Sequence, residues 1–398
     1  MKRCLWVIPK AIYPIRDGAR VANHALLSSI DDNLSIDLLM YNESPSDLEY
    51  LTTYQKEFNL KNIFFISKKS NISNWEKGFK FIKSLILKPS LPVTTAYFTG
   101  ADESEKFRAL LKNENYDLVV FDGVHPYAAV KNELNKMSAE VIYRAHNVEQ
   151  DLWFTAAEKT SNVIYQMLLR WQGKKMNRLE QKIIERSKKT WCISLEDQER
   201  FQKLYPTMSK KLTLIPVGLK FKSLFRENRK ENSKINLLFL GKMDWAPNKD
   251  GLKWFLEDVW PKVNQEKFNL SIVGSGDSSW CAPLIKGKNI ELKGFVPSID
   301  DIYKTTDFMI VPIRYGSGTR IKVIESASKA IPIISTQMGI QGSGLTHYIK
   351  AESAQEWVSV LNNLEIAESI ELSKKSFDEL YEIYAPEVIV KKALESIS

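Results

Sequence analysis

Phe308-Met309-Ile310-Val311-Pro312-Ile313 runs into Arg314-Tyr315-Gly316-Ser317-Gly318-Thr319-Arg320, then a helical pattern carrying Lys322 and Glu325, then Pro332-Ile333-Ile334-Ser335-Thr336. An apolar run, a turn, a helix and a second short apolar run make one strand–helix–strand unit, the repeat from which parallel sheets are wound. Two glycines in the turn let the backbone approach a ligand closely. The helix that follows offers unpaired N–H groups to an anion, and basic side chains flank the same turn. The pattern fits a diphosphate held by the N–H groups of Gly316, Ser317, Gly318 and Thr319, with Arg320 or Lys322 as counter-charge. Glu325, further along the helix, can accept hydroxyl hydrogen bonds from a ribose or a sugar once the phosphates are anchored beside it.

Outward from this unit the same alternation continues in both directions. Ile235–Leu240, Leu270–Val273, Ile290–Leu292, Phe308–Val311 and Ile333–Ser335 read as one series of short buried strands. Leu5–Ile8, Ser35–Met40, Asn62–Ile66, Leu118–Phe121, Val141–Tyr143 and Thr190–Ile193 read as another. Helical patterns lie between most of them, so each series predicts a parallel, doubly wound α/β sheet. A chain of 398 residues is too long for one ordinary core and divides in two. Ile215-Pro216-Val217-Gly218 ends one pattern and 221–233 is polar and charged, which sets the domains at 1–216 and 234–375 with a linker at 217–233.

Apolar content of 44% and charged content of 26% are ordinary globular values, so neither extended disorder nor a spanning segment is expected. The basic and apolar start of the chain is broken by Pro9 and Lys10, which favours a first buried strand over a signal peptide. Cys4, Cys192 and Cys281 lie far apart without metal-ligand spacing and read as reduced, buried thiols of a cytoplasmic protein. No acidic Asp-x-Asp motif is placed to hold a divalent ion, so no metal is expected.

The net charge of +8 requires a partner or a surface to be considered. Basic residues concentrate in Lys159–Lys189, where Arg170, Lys174, Lys175, Arg178 and Lys182 interleave with Ile164, Met167, Trp171, Met176 and Leu179. Trp75–Leu87 shows a similar mixture. Both are amphipathic helical patterns with a basic face, open to two readings: a solvated surface, or attachment to anionic lipid on the inner face of a membrane. Nucleic acid is not expected, since no helix-turn-helix, finger or aromatic ribonucleoprotein signature occurs.

The run from Val311 to Gly342 resembles the C-terminal signature of family 4 glycosyltransferases of the GT-B fold, in the branch acting in bacterial surface-polysaccharide assembly. The resemblance extends through Leu237–Trp245, Pro247-Asn248, Asp250-Gly251, Trp260-Pro261, Val273–Gly276 and Gly294–Val296, in the order and spacing of that family. It continues more loosely through Asp17-Gly18-Ala19-Arg20, Asp122-Gly123-Val124-His125 and Arg144–Glu149. It implies two Rossmann-like domains facing a central cleft, with a final helix, 376–398, crossing back to the first domain. It further implies transfer of a glycosyl group, with retention, from a nucleoside diphosphate sugar to a saccharide or lipid-linked saccharide acceptor.

By the same resemblance, Glu325 matches the second glutamate of the family's two-glutamate motif and contacts the ribose. Gly294, Phe295 and Val296 match the loop that holds the base. Gly241 and Lys242 correspond to a Gly-Arg that reaches phosphate, with Lys249 a further candidate cation. His146 matches a histidine near the anomeric carbon. Asp17, Gly18 and Arg20 match a loop that touches phosphate or acceptor, and His125 and Arg144 join the acceptor side. The family's first motif glutamate is replaced here by Ser317, which leaves recognition of the transferred sugar unassigned. A nucleoside diphosphate sugar 2-epimerase and a catalytically silent binding subunit stay open as alternatives.

Overall fold

The computed structural model describes residues 2–14, 18–30, 34–42, 45–67, 89–99, 101–158, 160–224, 234–286, 289–296, 298–316 and 319–397. The chain forms two compact units, Met1–Gly218 with Ile389–Ser398, and Leu219–Val388.

Unit 1 holds β1 (Lys2–Ile8), β2 (Leu34–Asn42), β3 (Leu60–Ser67), β4 (Leu118–Asp122), β5 (Glu140–Ala145), β6 (Lys189–Cys192) and β7 (Leu212–Leu214). They make one sheet in the order β3-β2-β1-β4-β5-β6-β7 with every pairing parallel. The near-continuous apolar runs are explained by burial on both faces. Leu5, Val7, Val119, Phe121, Val141 and Tyr143 point into one core. Their neighbours Cys4, Trp6, Leu118, Val120 and Ile142 point into another, as the two-residue period of a strand requires. All three cysteines are free and buried.

Unit 2 holds β8 (Ile235–Leu240), β9 (Phe268–Val273), β10 (Ile290–Gly294), β11 (Phe308–Val311), β12 (Ile333–Ser335) and β13 (Ile349–Lys350). Its sheet is also wholly parallel, in the order β10-β9-β8-β11-β12-β13. Leu237, Phe239, Phe308 and Ile310 fill one face, and Leu238, Met309, Val311 and Ile333 the other.

Three features depart from the sequence expectations. β7 and β13 are edge strands of three and two residues, shorter than the roughly four or more over which a strand pattern is read. Leu219–Leu224, expected in the linker, is docked on unit 2: the Leu219 N–H donates to the Tyr384 carbonyl at 3.0 Å, and the Lys222 and Leu224 N–H groups donate to the carbonyls of Ser328 and Lys329. Its apolar residues Leu219, Phe221 and Leu224 explain this, since they pack on a core of unit 2 and Phe221 meets Phe377 and Tyr381.

The third departure is the boundary at 376, which falls inside a continuous helix of unit 2, Ile366–Tyr384. The break comes at Ala385-Pro386, where proline supplies no N–H to continue the ladder. The final helix Pro386–Ile397 then lays Ile389, Val390, Ala393 and Ile397 into a core of unit 1. The Trp191 indole N–H donates to the Ser396 hydroxyl at 2.8 Å and holds it there.

Candidate functional site

In each sheet the first strand has neighbours running off in opposite sequence directions, β1 between β2 and β4, and β8 between β9 and β11. The crevice beyond the carboxyl ends of such a strand pair is where doubly wound folds bind ligands. Both units place charged residues there.

In unit 1, Ile8-Pro9-Lys10 leaves β1, Asp122–His125 leaves β4, and His146 and Asn147 leave β5. With Arg20 and Asn23 of the helix Gly18–Leu27 and with Glu149, these residues line a pocket of about 200 Å³. Asp122 and Arg144 are direct cross-strand partners in the register of β4 and β5. Parallel pairing therefore sets the carboxylate against the guanidinium, Arg144 Nη1 lying 3.0 Å from Asp122 Oδ1. The same oxygen meets His146 Nε2 at 2.7 Å, and the other accepts from the Asn23 amide at 2.6 Å. Arg144 Nη1 also donates to Asn23 Oδ1 at 3.1 Å.

Burial pushes the Asp122 carboxyl up, but His146 and Arg144 beside it outweigh that, and it is held down at about 2. Both members of the ion pair are only 1% exposed, whereas the His146 side chain is 15% exposed and lines the pocket. Arg144 does not line it; it lies among Asp122, Asn23 and the Ala22 carbonyl. His125 lines the pocket with Nε2 3.0 Å from the Thr94 hydroxyl. Arg20 lines it as well, its Nε donating to the Ala11 carbonyl at 2.8 Å. Gly18 begins its helix, and Asp17 lies outside the described residues.

A second carboxyl braces this site. Glu180, on the long helix Val163–Arg186, accepts the N–H groups of Glu149 at 2.8 Å and Gln150 at 3.0 Å. Those are the first amides of the helix Glu149–Glu158, which starts three residues after His146. Burial nevertheless pushes the Glu180 carboxyl up to about 8. Asn23, Asp122 and Glu180 were not singled out as site residues by the sequence reading. Asp122 could have been found from its place at a strand end beside a glycine, but Asn23 and Glu180 lie on helices with no local signal.

In unit 2, the loops after β8 and β11 are drawn together by glycines. A Cβ on Gly251 would lie 2.2 Å from the Pro312 carbonyl oxygen, so only glycine lets the helix Ala246–Trp254 rest on the exit of β11. Gly316 has φ +126°, a left-handed conformation that glycine adopts without strain. Ser317 and Gly318 lie outside the described residues, and Thr319 precedes Arg320 at the start of the helix Ile321–Ala327. Arg320 is 4% exposed, with its guanidinium 5.5 Å from the centre of the Trp245 ring.

Lys322, expected as an open counter-charge, turns back onto its own protein. Its Nζ donates to the Leu240 carbonyl at 2.9 Å and to Asn248 Oδ1 at 3.0 Å, and Asn248 in turn donates to the Lys242 carbonyl at 3.0 Å. Burial and the Arg320 charge push the Lys322 ammonium down to about 7. The Glu325 carboxyl is pushed up by burial, an effect that Lys329 and the Tyr303 hydroxyl offset in part. Lys242 is largely exposed and lies 3.4 Å from Asp244. Lys249 stands 5.7 Å from the centre of the Trp280 ring. The structure thus brings Gly241, Gly316, Arg320 and Lys322 to one place. Gly294, at φ +65°, and Phe295, 73% exposed, lie at the end of β10, while Val296 packs into the core. Asn248 is the residue here that sequence reasoning quoted without a role.

Comparison with known proteins bears on the fold and on the second unit. Residues 234–365 match the family model of group 1 glycosyl transferases. A relative from Klebsiella pneumoniae, described as an uncharacterized 44.6 kDa protein in the cps region, is 21% identical over 87% of this chain and 86% of its own. Among solved structures, HepE of Anabaena with bound UDP superposes with a TM-score of 0.65 at 10% identity, covering 100% of this chain and 99% of that one. TarM gives 0.65 at 12% identity, covering 100% and 99%. The lipopolysaccharide outer core galactosyltransferase WaaB gives 0.62 at 12%, again over 100% and 99%. At these identities the likeness to solved structures is one of fold: two Rossmann-like domains of the GT-B type. The stretch that resembles the group 1 model includes β8, β11 and the turn carrying Arg320, Lys322 and Glu325.

Proposed function

We propose that this protein is a retaining, family 4 type glycosyltransferase that moves a sugar from a nucleoside diphosphate sugar to a hydroxyl of a lipid-linked saccharide in surface-polysaccharide synthesis. The observation that carries this reading is the match of the group 1 model to the segment holding the β8 and β11 loops. HepE, which shares the fold, was solved with UDP and with UDP-glucose, and the Klebsiella relative is described as lying in a cps region.

In this scheme charge develops on the departing diphosphate as the glycosidic bond breaks, so the demand is for oriented cations and amides more than for a strong nucleophile. Arg320 and Lys322 supply the cations, and a diphosphate beside them holds Lys322 in its charged form. The turn at Gly316–Thr319 supplies amides, Glu325 takes the ribose hydroxyls, and the loop Gly294–Val296 receives the base. Lys242 reaches the phosphates from β8. We assign His146, fixed by Asp122, to the reacting sugar, and Arg20 and His125 to the acceptor. These cations take the place of a metal ion. The protein acts in the cytoplasm; among the described residues no helix is long and apolar enough to cross a membrane.

The test is incubation with a panel of nucleoside diphosphate sugars beginning with UDP-glucose, scored for nucleotide release with and without a lipid-linked acceptor. Acceptor-dependent release with an α-linked product from an α-linked donor is the expected result. Epimerised donor, or binding without turnover of any donor, overturns it.

A further inference from the structure

The long helix Val163–Arg186 carries an exposed surface that the proposed reaction does not use. At 100° per residue, Val163, Ile164, Met167 and Trp171 fall on one arc of its first turns. Ile164 is 82% exposed and Val163 and Met167 are each 66% exposed, among the largest apolar exposures in the described chain. The opposite side, through Leu169, Met176, Leu179 and Ile183, is buried. Scattered exposed apolar residues need no explanation, but a contiguous group at one end of a helix marks a contact surface.

The same arc continues into Lys174, Arg178 and Lys182 and meets no acid until Glu185 in the last turn. Among the described residues none of these three cations is in an ion pair. Lys175, which the sequence grouped with them, is buried instead, its ammonium 3.4 Å from the centre of the Trp171 ring. It holds the indole in place and contributes little charge to the surface.

A cavity of about 440 Å³ lies beside the last turns of the helix, lined by Tyr127, Lys131, Asn132, Asn135, Lys182 and Arg186 together with Glu185. Burial and the neighbouring Lys182 charge push the Lys131 ammonium down. Arg186 is committed to the carbonyls of Leu134, Met137 and Ala139. The two lysines and the asparagine amides are therefore what the cavity offers to an anion.

We propose that this helix docks on an anionic phospholipid surface, with its apolar end inserted at the interface, its basic stretch over the headgroups, and a lipid phosphate taken between Lys131 and Lys182. A second copy of the chain is the competing occupant. Charge decides between them, because a surface whose central cations are all of one sign repels its own copy and attracts an acidic bilayer. The helix is about 36 Å long at 1.5 Å per residue, enough to cover several headgroups. This inference does not depend on the reaction proposed above, and its test reads no activity.

The experiment is sedimentation of the full chain with phosphatidylcholine vesicles, with and without phosphatidylglycerol, over a salt series. The protein is expected to pellet with the anionic vesicles at low salt, to stay in solution with phosphatidylcholine alone, and to be released by added salt. Ile164→Asp with Met167→Asp should weaken binding by roughly tenfold or more, as should Lys174→Glu with Arg178→Glu. Lys131→Ala should weaken it less. Serine replacements at 164 and 167 give a milder pair should the aspartates disturb folding, and an unchanged melting temperature confirms the comparison. Failure of the wild type to pellet with anionic vesicles overturns the proposal. So does equal pelleting of wild type and variants, or a solution dimer that Ile164→Asp with Met167→Asp dissociates while no vesicle binding occurs.

Discussion

At the end of β4 in unit 1 a carboxylate, Asp122, is met by a guanidinium, an imidazole and an amide. Just past the end of β11 in unit 2 an ammonium, Lys322, is met by a second cation, Arg320, and by two neutral oxygens. Both groups are buried, and burial disfavours the charged form in each. In unit 1 the neighbours reverse that penalty and hold Asp122 at about 2; in unit 2 they add to it and bring Lys322 to about 7. The first cluster satisfies itself and fixes the ring of His146. The second lowers the stability of the fold and gains from an added anion. A charge-compensated cluster and a cluster with surplus positive charge thus occupy the same topological point of two similar sheets.

Stability measurements can break this comparison most directly. Asp122→Ala leaves Arg144 as an uncompensated buried charge and should cost about 3 to 5 kcal/mol. Lys322→Met replaces a buried cation with an apolar side chain of similar length and should be neutral or mildly stabilising, because its loss strands no opposite charge. Urea unfolding of the two variants reads the difference. Equal losses in both would erase the distinction between the clusters.

Turnover should expose the unit 2 cluster that stability does not. With a confirmed donor, Lys322→Met or Arg320→Ala removes a cation that the proposed reaction assigns to the departing diphosphate and should lower kcat/KM by about 10² to 10³, equivalent to about 3 to 4 kcal/mol. Glu325→Gln loses one charged hydrogen bond to a hydroxyl and should cost about 1.5 to 3 kcal/mol. All three should remain folded. Wild-type kinetics in every one of them would show that the nucleotide lies elsewhere.

The fold was legible because its strands are buried on both faces and read as unbroken apolar runs. Ile235–Leu240, Phe308–Val311 and Ile333–Ser335 are bounded as the sequence implies. Edge strands β7 and β13, shorter than the roughly four or more residues over which a strand pattern is read, were not legible. One backbone-determined part of the site was also readable: Gly316 takes a left-handed φ in a turn read as needing glycine, whereas Gly251, quoted only within the resemblance, marks a place where no Cβ fits. What escaped were partnerships made by the sheet register and by helix packing. Arg144 sits opposite Asp122 only because β4 and β5 pair in one register, and Glu180 reaches the amides of Glu149 and Gln150 from another helix. Lys322 was legible as a cation but not as one folded back onto Leu240 and Asn248, since that depends on how closely the loops after β8 and β11 approach.

The smallest effect lies in the pH dependence, where one group from each unit should pull in opposite directions. Glu180 in unit 1 is raised to about 8, so between the ordinary carboxylate range and that value the folded chain binds more protons than the unfolded one. Stability from this group is therefore present at acid pH and is lost as pH rises toward 8. Lys322 in unit 2 is lowered to about 7, so from there up to the ordinary lysine range the unfolded chain binds more protons. Stability from this group is lacking at and below pH 7 and is gained as pH rises. Each proton contributes at most about 1.4 kcal/mol per pH unit. Glu180→Gln should flatten a fall in melting temperature between pH 5 and 8, and Lys322→Met a rise between about pH 7 and 10. If Glu180→Gln leaves the acid-side slope untouched, its carboxyl is ionised in the folded protein. The two amides of the helix Glu149–Glu158 would then outweigh its burial, and both buried carboxyls of unit 1, Asp122 and Glu180, would be compensated.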